Sequence, residues 1–208
     1  MKPNQDPLYS GVFYHIYNRA NGNDPLFVHP GNYDFFLMKY NQYLLPYIDT
    51  YAYCLMSNHF HLLVKIKSED AFLSLEKFQF PEDVTREEKE KSIAKFLSQQ
   101  FSHFFNGYAQ AFNKQENRRG SLFMQPYKRK QVQDEQHLLR LVYYIHHNPV
   151  KAGLCKRIED WKHSSYNTIL SDKTTWIERD SVIQLFGSKE DFILFHQQDL
   201  PGLQTPNS

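Results

Sequence analysis

The chain has 208 residues with 41% hydrophobic content, enough to bury a substantial core in one domain with at most a small appendage. No apolar run approaches the roughly 20 residues that span a bilayer, and residues 1–10 lack the apolar stretch of a signal peptide. A membrane protein and a secreted protein are therefore not expected, and the two isolated cysteines fit the reducing cytoplasm. The net charge of +1 neither favours nor excludes a nucleic-acid partner, which would require a local basic patch.

The chain begins with a predicted strand and a predicted helix. Residues 12–18 (VFYHIYN) are aromatic and β-rich and follow Gly11, which indicates a first strand. Asn32 caps the predicted helix, in which apolar residues recur near helical spacing. This helix is expected to end before Pro46.

Two histidines open the second of two predicted hairpin strands, residues 50–56 and 59–66. Side chains alternate between the faces of an extended strand, so His59 and His61 point the same way while Phe60 points into the core. Two imidazoles on one face form half of a site for a divalent cation, and a third ligand must come from elsewhere. A solvated sheet face is the alternative for this pair. A structural zinc site is disfavoured because the cysteines form no Cys-x-x-Cys spacing.

The second half of the chain predicts a long helix, a short strand and a further helix. Residues 89–113 carry a broad, largely aromatic face of the kind that packs into a core. Residues 128–133 form a short strand, and Asp134 caps a helix over 135–147 that Pro149 terminates. The order β-α-β-β-α-β-α predicts an α+β fold: a ferredoxin-like sandwich, with an antiparallel sheet, helices on one face and one added helix.

A basic segment with interleaved aromatic residues runs from the end of the long helix into the short strand. Cations bind backbone phosphates and aromatic rings stack on bases, so the segment is a candidate nucleic-acid contact. A charged surface loop with aromatic anchors is the alternative interpretation. The candidate DNA-binding residues are Lys114, Arg118, Arg119, Tyr127, Lys128, Arg129 and Lys130.

The helix over 135–147 carries a candidate nucleophile at the edge of its apolar stripe. Asn148 follows Tyr144 by one turn, so a phenol and an amide oxygen can reach the same point. A tyrosine hydroxyl, with a free pKa of about 10, needs an electrophile that a metal has polarised, such as a scissile phosphate. A ring with its hydroxyl in water is the simpler alternative. Tyr143 with His147 is a possible rival pair, and Tyr143 is otherwise expected to face solvent.

Five segments, in the same order, resemble the IS200-like, single-tyrosine transposase family, and most closely its REP-associated tyrosine transposases. The resemblance covers roughly residues 11–170. The segments are YHIYNRANGNDPLF (14–27), YCLMSNHFHLLV (53–64), GSLFMQPYKRKQV (120–132), YIHHNPVKAGLC (144–155) and WKHSSY (161–166).

This resemblance implies an HUH endonuclease that cuts and rejoins single-stranded DNA at or near a hairpin. His59 and His61 match the family's metal-binding histidines, Asn148 its third, amide-bearing ligand, and Tyr144 its nucleophile. The expected cation is Mg²⁺ or Mn²⁺. Attack by Tyr144 would leave a 5′-phosphotyrosine link and a free 3′-hydroxyl, and the family includes members that act as monomers and others that act as homodimers.

The resemblance also sets the expected organisation and leaves two further functions open. We expect one transposase domain over residues 1–170 and, over 171–208, a helical extension with a short helix at 191–198. One alternative function is a domesticated DNA-hairpin-binding protein that no longer moves DNA. Another is a metal-dependent phosphodiesterase that uses water, with Tyr144 in a structural role.

Overall fold

The computed structural model describes residues 6–22, 24–75, 78, 80–81 and 83–199. Its strands are β1 (Phe13–Arg19), β2 (Ile48–Met56), β3 (His59–Ile66) and β4 (Lys128–Gln131). Its helices are α1 (Pro30–Tyr43), α2 (Glu69–Leu73), α3 (Arg86–Gln115), α4 (Glu135–Lys151), α5 (Tyr166–Leu170), α6 (Arg179–Phe186) and α7 (Lys189–Gln197). A 3₁₀ turn lies at Ile158–Asp160.

The four strands form one antiparallel sheet in the order β2-β3-β1-β4. β1 lies inside the sheet, hydrogen-bonded to β3 on one side and to β4 on the other. This strand order and the β-α-β-β-α-β core confirm the predicted ferredoxin-like fold. Both neighbours of β1 lie further along the chain and neither follows it directly, so the connections that contain α1 and α3 carry the chain across the sheet to reach this order.

One face of the sheet packs against α1 and α3, which contact each other. Phe60 of β3 lies at the centre of this layer, 5.1 Å from Phe36 of α1 and 5.9 Å from Phe105 of α3 between ring centroids. The predicted aromatic face of the long helix is therefore core, with Phe101 and Phe104 fully buried. We call this side of the sheet the α1/α3 face.

The opposite side of the sheet is covered by α4, which packs on β2 and β3. We call it the α4 face. Because successive residues of a strand alternate sides, it receives the odd-numbered residues of β1 and β3, including His15, Tyr17 and His61. The alternation predicted for β3 is thus confirmed, with Phe60 and the two histidines on opposite faces.

The predicted start of α1 at Asn32 is wrong by one turn. The N-cap is His29 and the first helical residue is Pro30, which suits this position because it has no N–H to leave unpaired. Asn32 instead accepts hydrogen bonds through Oδ1 from the backbone N–H groups of Val28 and His29, at 3.0 and 2.9 Å. Its side chain still satisfies orphan donors at the helix start, but from inside the first turn.

The prediction that Pro149 terminates the tyrosine-bearing helix is also wrong, because α4 continues to Lys151. A proline inside a helix removes one hydrogen bond and disfavours helical geometry at the residue before it. Here Asn148 and Pro149 are buried, and the following turn is closed by hydrogen bonds from Ala152 to Asn148 and from Leu154 to Pro149. Tertiary packing therefore overrides the local preference and keeps Asn148 in helical register with Tyr144.

The chain beyond Leu170 returns to the edge of the sheet. Ile177 forms a parallel bridge with Thr50 of β2, and α6 and α7 follow. The helix predicted at 191–198 corresponds to α7, whereas α6 was not predicted. The proposed division into 1–170 and 171–208 stays a prediction, and its terminal residues 1–5 and 200–208 lie outside the described residues. Within the described part of the chain, none of the helices has the length and apolar character needed to cross a bilayer.

Candidate active site

The α4 face of the sheet brings together three histidine side chains from two adjacent strands. β1 pairs with β3 so that Tyr17 lies opposite His61 and His15 lies opposite Leu63. His15 Nε2 is 2.9 Å from His61 Nδ1, and the two rings stack with centroids 5.1 Å apart. Burial lowers the pKa of His15 to about 3. Burial also holds the pKa of His61 well below its usual value, and the nearby His15 and His59 add to that shift. Both imidazoles are therefore neutral, the form in which a histidine binds a metal.

His59 lies at the start of β3, partly exposed at the edge of the same face. Its Nδ1 is 2.7 Å from Oδ1 of Asn58, which accepts the hydrogen bond. Burial first, and the charge of Arg19 second, lower the pKa of His59, so this ring is also held towards the neutral state. With a proton on Nδ1, the lone pair of Nε2 is left for a ligand.

Tyr144 reaches this face from α4. Its ring lies edge-on to His61 and His15, at centroid distances of 5.4 and 6.0 Å. The hydroxyl is buried and makes no hydrogen bond within the described part of the chain. Burial raises the pKa of Tyr144, and the neighbouring Asn148 side chain opposes only part of that rise. A buried hydroxyl without a partner is costly, and such groups in native proteins often serve a function.

Asn148 lies one helical turn beyond Tyr144 and is also buried. Its Nδ2 donates a hydrogen bond to the backbone carbonyl of Tyr144 at 3.0 Å. This bond fixes the orientation of the amide and leaves Oδ1, the atom that binds hard cations, out of the helix hydrogen bonding. The structure thus brings Tyr144 and Asn148 together on the side of α4 that covers the sheet, as the spacing predicted.

Tyr143 does not face solvent, contrary to the sequence prediction. It is buried, and its hydroxyl donates to the carbonyl of Gln198 at 2.9 Å. Its ring stacks on His147 at 3.8 Å and contacts Phe195 and His196 of α7. The rival pair of Tyr143 and His147 therefore packs under α7, with its hydroxyl already partnered, and shows no contact with the histidines of β3.

A buried polar chain fixes α4 to β2 and α7. His196 Nδ1 donates to the carbonyl of Phe192 at 2.7 Å, and its Nε2 accepts from His146 Nδ1 at 2.9 Å. His146 Nε2 accepts in turn from the hydroxyl of Ser165 at 2.7 Å, and the Ser165 oxygen receives the backbone N–H of Tyr53. Burial favours the neutral form of both rings, and in that form each imidazole uses one nitrogen as a donor and the other as an acceptor. His146 thereby anchors the part of α4 between Tyr144 and Asn148.

Acidification should destabilise the protein through His196. Burial lowers the pKa of this ring to about 3, and His147 adds to the shift while Phe192 opposes it. Because the folded pKa lies below the unfolded value of about 6.5, this stabilisation is complete above pH 6.5 and is lost as the pH falls towards 3. Between pH 7 and pH 5 the loss from this group alone should be about 2 kcal/mol.

The measurement is urea unfolding of the unchanged protein and of His196→Gln at both pH values. The variant should be less stable at pH 7 because it breaks the contact with His146. Its loss of stability on acidification should be smaller by about 2 kcal/mol. An equal loss in the two proteins would contradict the assignment.

The strand alternation also places the basic residues of β4 on two different faces of the sheet. Lys130 pairs with His15 and Lys128 with Tyr17, and directly paired residues lie on the same face of a sheet. Both lysines therefore flank the histidines on the α4 face, and the ammonium of Lys128 lies 5.8 Å from the centre of the Tyr17 ring. Arg129 points to the α1/α3 face, where it donates to the carbonyl of Asp6.

Two other residues of the basic segment have structural contacts. Arg118 forms an ion pair with Asp24 and donates to Asn113. Tyr127 is buried against Phe101, with ring centroids 5.0 Å apart, and its hydroxyl accepts from Arg129. The ring of Tyr127 is thus not accessible for stacking on a base. Lys114 and Arg119 are exposed at and beyond the end of α3.

Sequence reasoning missed His15, Tyr17 and Lys151. The alternation in VFYHIYN does place His15 and Tyr17 on one side of β1, but their meeting with His61 depends on the strand pairing. Lys151 lies two turns beyond Tyr144 on α4, with its ammonium 5.6 Å from the centre of the Tyr144 ring. The helical spacing of seven residues was a usable signal for this contact.

Two known proteins are similar to this chain. A protein of Haemophilus influenzae that is provisionally named a REP-associated tyrosine transposase is 26% identical over 121 residues, which span 57% of this chain and 59% of that protein. A solved structure of a REP-associated tyrosine transposase bound to a REP hairpin matches 83% of this chain and 87% of that chain, with a TM-score of 0.56 and 15% identity. The chain resembles the REP-associated tyrosine transposases. The structural match supports the shared fold, and no family model matches the chain.

The donor set on the α4 face fits the divalent cation expected from the sequence. It offers two neutral imidazoles, of His59 and His61, and the amide oxygen of Asn148, beside an unpartnered phenol. Among the described residues, no group of three or more His, Cys, Asp or Glu side chains could hold a metal ion, so the two histidines would need the amide of Asn148 to complete a site. Such a site would leave coordination positions for phosphate oxygens and water, as Mg²⁺ and Mn²⁺ require.

Proposed function

We propose that this chain is a metal-dependent single-stranded DNA transesterase that nicks and rejoins DNA near hairpins through a 5′-phosphotyrosine intermediate. The observation that carries the proposal is the buried, unpartnered hydroxyl of Tyr144 next to His61. A structural tyrosine at such depth normally finds a hydrogen-bond partner. The names of the two similar proteins support the same class of reaction and a hairpin substrate.

In the proposed reaction the phenolic oxygen of Tyr144 attacks the phosphorus of a phosphodiester, and the proton that the phenol loses is balanced by the one that the leaving 3′ oxygen gains. The new bond joins the tyrosine oxygen to the phosphorus, and the bond to the 3′ oxygen breaks, giving a free 3′-hydroxyl. A divalent cation held by His59, His61 and Asn148 would supply charge neutralisation at the scissile phosphate. A second 3′-hydroxyl can reverse the step and join strands, because the phosphotyrosine keeps the energy of the phosphodiester bond.

The surroundings of Tyr144 suit this role. Burial raises its pKa, so the resting phenol is protonated and unreactive until a substrate is bound. The Lys151 ammonium beside the ring adds a positive charge where a phosphate must approach. Tyr144 and His61 meet within one chain, which supports an active site completed by a single subunit.

The DNA strand is proposed to follow Lys128 and Lys130 past the catalytic face. Both ammonium groups belong to the α4 face, which the cross-strand pairing with Tyr17 and His15 establishes. Exposed cations along such a path bind phosphates without reading sequence. Arg119 and Lys114 extend the positive charge beyond the sheet, whereas Arg118, Tyr127 and Arg129 support the fold by their own contacts.

Lys130→Gln should weaken hairpin binding moderately and make it less sensitive to salt. One lost phosphate contact lowers the slope of log affinity against log salt by about 0.7 to 0.9. Fluorescence anisotropy with a labelled hairpin at several salt concentrations measures both quantities. Lys95→Gln, on the exposed surface of α3, is the matched control and should bind as the unchanged protein does. An unaltered slope in Lys130→Gln would contradict this path.

The decisive experiment mixes the full chain with a panel of labelled hairpins carrying single-stranded flanks, and with Mg²⁺ or Mn²⁺. A band shift that survives a denaturing gel and disappears with a chelator is the expected result. Cleavage without an adduct would favour the water-dependent phosphodiesterase. Hairpin binding without cleavage across the panel would favour the domesticated binding protein.

A further inference from the structure

Three imidazoles stand in a row on the α4 face, with that of His61 in the middle. His59 precedes it by two residues on β3, and His15 lies opposite Leu63, two residues further along. His61 is therefore flanked by one partly exposed ring and one buried ring. Of the two, the buried ring of His15 bonds to a nitrogen of His61 directly, at 2.9 Å.

The chemistry of this contact sets which nitrogen of His61 is free. Nδ1 of His61 faces Nε2 of His15, so the nitrogen left for a metal is Nε2. A neutral imidazole that offers one nitrogen as a lone pair carries its proton on the other. His61 Nδ1–H then donates to His15 Nε2, and His15 must carry its own proton on Nδ1.

We propose that His15 is a positioning residue: it accepts the Nδ1 proton of His61 and thereby presents Nε2 of His61 to a divalent cation. The inference rests on the proposed function, in which His61 is a metal ligand. Metal-binding histidines commonly donate their second N–H to a fixed acceptor, which sets both the tautomer and the ring orientation. His15 supplies a nitrogen in that role, within the protein's own sheet.

Two further observations support this assignment. His15 is itself immobilised, because it is 3% exposed and lies between a stacked Tyr17 ring at 4.7 Å and the edge of Tyr144 at 6.0 Å. His59 has the same arrangement with a different acceptor, since its Nδ1–H donates a hydrogen bond to Oδ1 of Asn58 at 2.7 Å. Both candidate ligands thus have Nδ1 engaged and Nε2 available.

The test is Mn²⁺ binding to the full chain without DNA, measured by the electron paramagnetic resonance signal of free Mn²⁺. His15→Leu fills the space but cannot accept a proton, and it should weaken binding by about 10- to 100-fold. His15→Gln offers an amide oxygen near the position of Nε2 and should recover most of the affinity. Equal affinity in His15→Leu and the unchanged protein would overturn the inference, and so would a His15→Gln as weak as His15→Leu.

The same titration separates this inference from the proposed function. Binding that is strong in the unchanged protein and lost in His59→Ala establishes the metal site on its own. If the unchanged protein does not bind Mn²⁺, the metal site fails, and the role of His15 fails with it.

A second measurement needs no variant and stands even if His15→Leu does not fold. Long-range ¹H–¹⁵N spectra of the metal-free protein distinguish the two neutral tautomers of a histidine. His61 should be protonated on Nδ1, as should His15. A proton on Nε2 of His61 would overturn the proposal, because that nitrogen could not then face a cation.

Discussion

Tyr144→Phe should abolish the covalent protein–DNA adduct, with a reduction of at least about 1,000-fold, because phenylalanine has no oxygen to attack phosphorus. The ring contacts with His61 and His15 should persist, since only the hydroxyl is removed. That hydroxyl is buried without a hydrogen bond, so its removal should leave the free energy of unfolding unchanged or raise it by up to about 1 kcal/mol. The adduct is measured on a denaturing gel and the stability by urea unfolding.

Tyr143→Phe is the matched control for this experiment. It removes a phenol from the neighbouring residue, whose hydroxyl bonds to Gln198 and whose ring packs under α7. Adduct formation should therefore remain, while stability should fall by about 1 kcal/mol for the lost hydrogen bond. An adduct that persists in Tyr144→Phe, or disappears in Tyr143→Phe, would show that Tyr144 is not the nucleophile or that Tyr143 is also required. The opposite signs of the stability changes make a general folding defect recognisable.

The fold was predictable where local pattern and tertiary packing agree. The bounds of β3 coincide with the prediction, because alternation, a tight turn before it and an apolar run all favour one strand. The ends of α1 and α4 were wrong because capping and proline preferences are weak against burial, as Asn32 and Pro149 show. Tertiary contacts decide such boundaries, and a sequence pattern does not contain them.

The candidate site likewise contains residues that local periodicity predicts and residues that only tertiary structure brings in. Tyr144 and Asn148 share one helix, and His59 and His61 share one strand, so each pair follows from local periodicity alone. His15 enters the site through strand pairing, and that register is not written in the spacing of any one segment. The resemblance to a transposase family linked the two local pairs, which periodicity could not do.

The basic segment shows how the same composition serves two purposes. Its strand places Lys128 and Lys130 beside His15 and Tyr17 on the α4 face and sends Arg129 to the opposite face, where its contacts fix the chain near Asp6. The sequence predicted a single DNA-binding patch because the alternation of the predicted strand over residues 128–133 was not applied to its basic side chains. Once its residues pair with β1, the period of two assigns every second side chain to the fold.

The prediction that Tyr143 faces solvent was wrong for a related reason. On the amphipathic pattern of α4 alone, Tyr143 lies beside the apolar stripe and nothing in that helix covers it. The cover comes from α7, more than 40 residues later, where His196 also completes the polar chain to His146. A residue can thus be buried by a segment whose own sequence predicts only a short helix.

His59→Ala should reduce metal-dependent cleavage by at least about 100-fold while leaving hairpin affinity in the absence of divalent metal unchanged. One ligand of three is lost, and the charge neutralisation that a bound cation supplies is worth several kcal/mol at a phosphate. His59 is partly exposed at the start of β3 and bonds only to Asn58 among the described side chains. Its removal should therefore affect folding less than removal of the buried His61 would. Cleavage is measured on gels across a Mn²⁺ titration, and binding by anisotropy with a chelator.

His103→Ala provides the comparison, since His103 is an exposed histidine of α3 on the other side of the sheet and should leave both quantities unaltered. The separation of cleavage from binding is what distinguishes the functions under consideration. A transesterase would lose catalysis and keep its hold on the hairpin, because the proposed phosphate contacts are made by the lysines of β4 and not by the histidines. If His59→Ala instead weakened binding without metal, the histidines would be part of the DNA-contacting surface. The residues His59, His61, Tyr144 and Asn148 would then form a site for DNA recognition and not for catalysis.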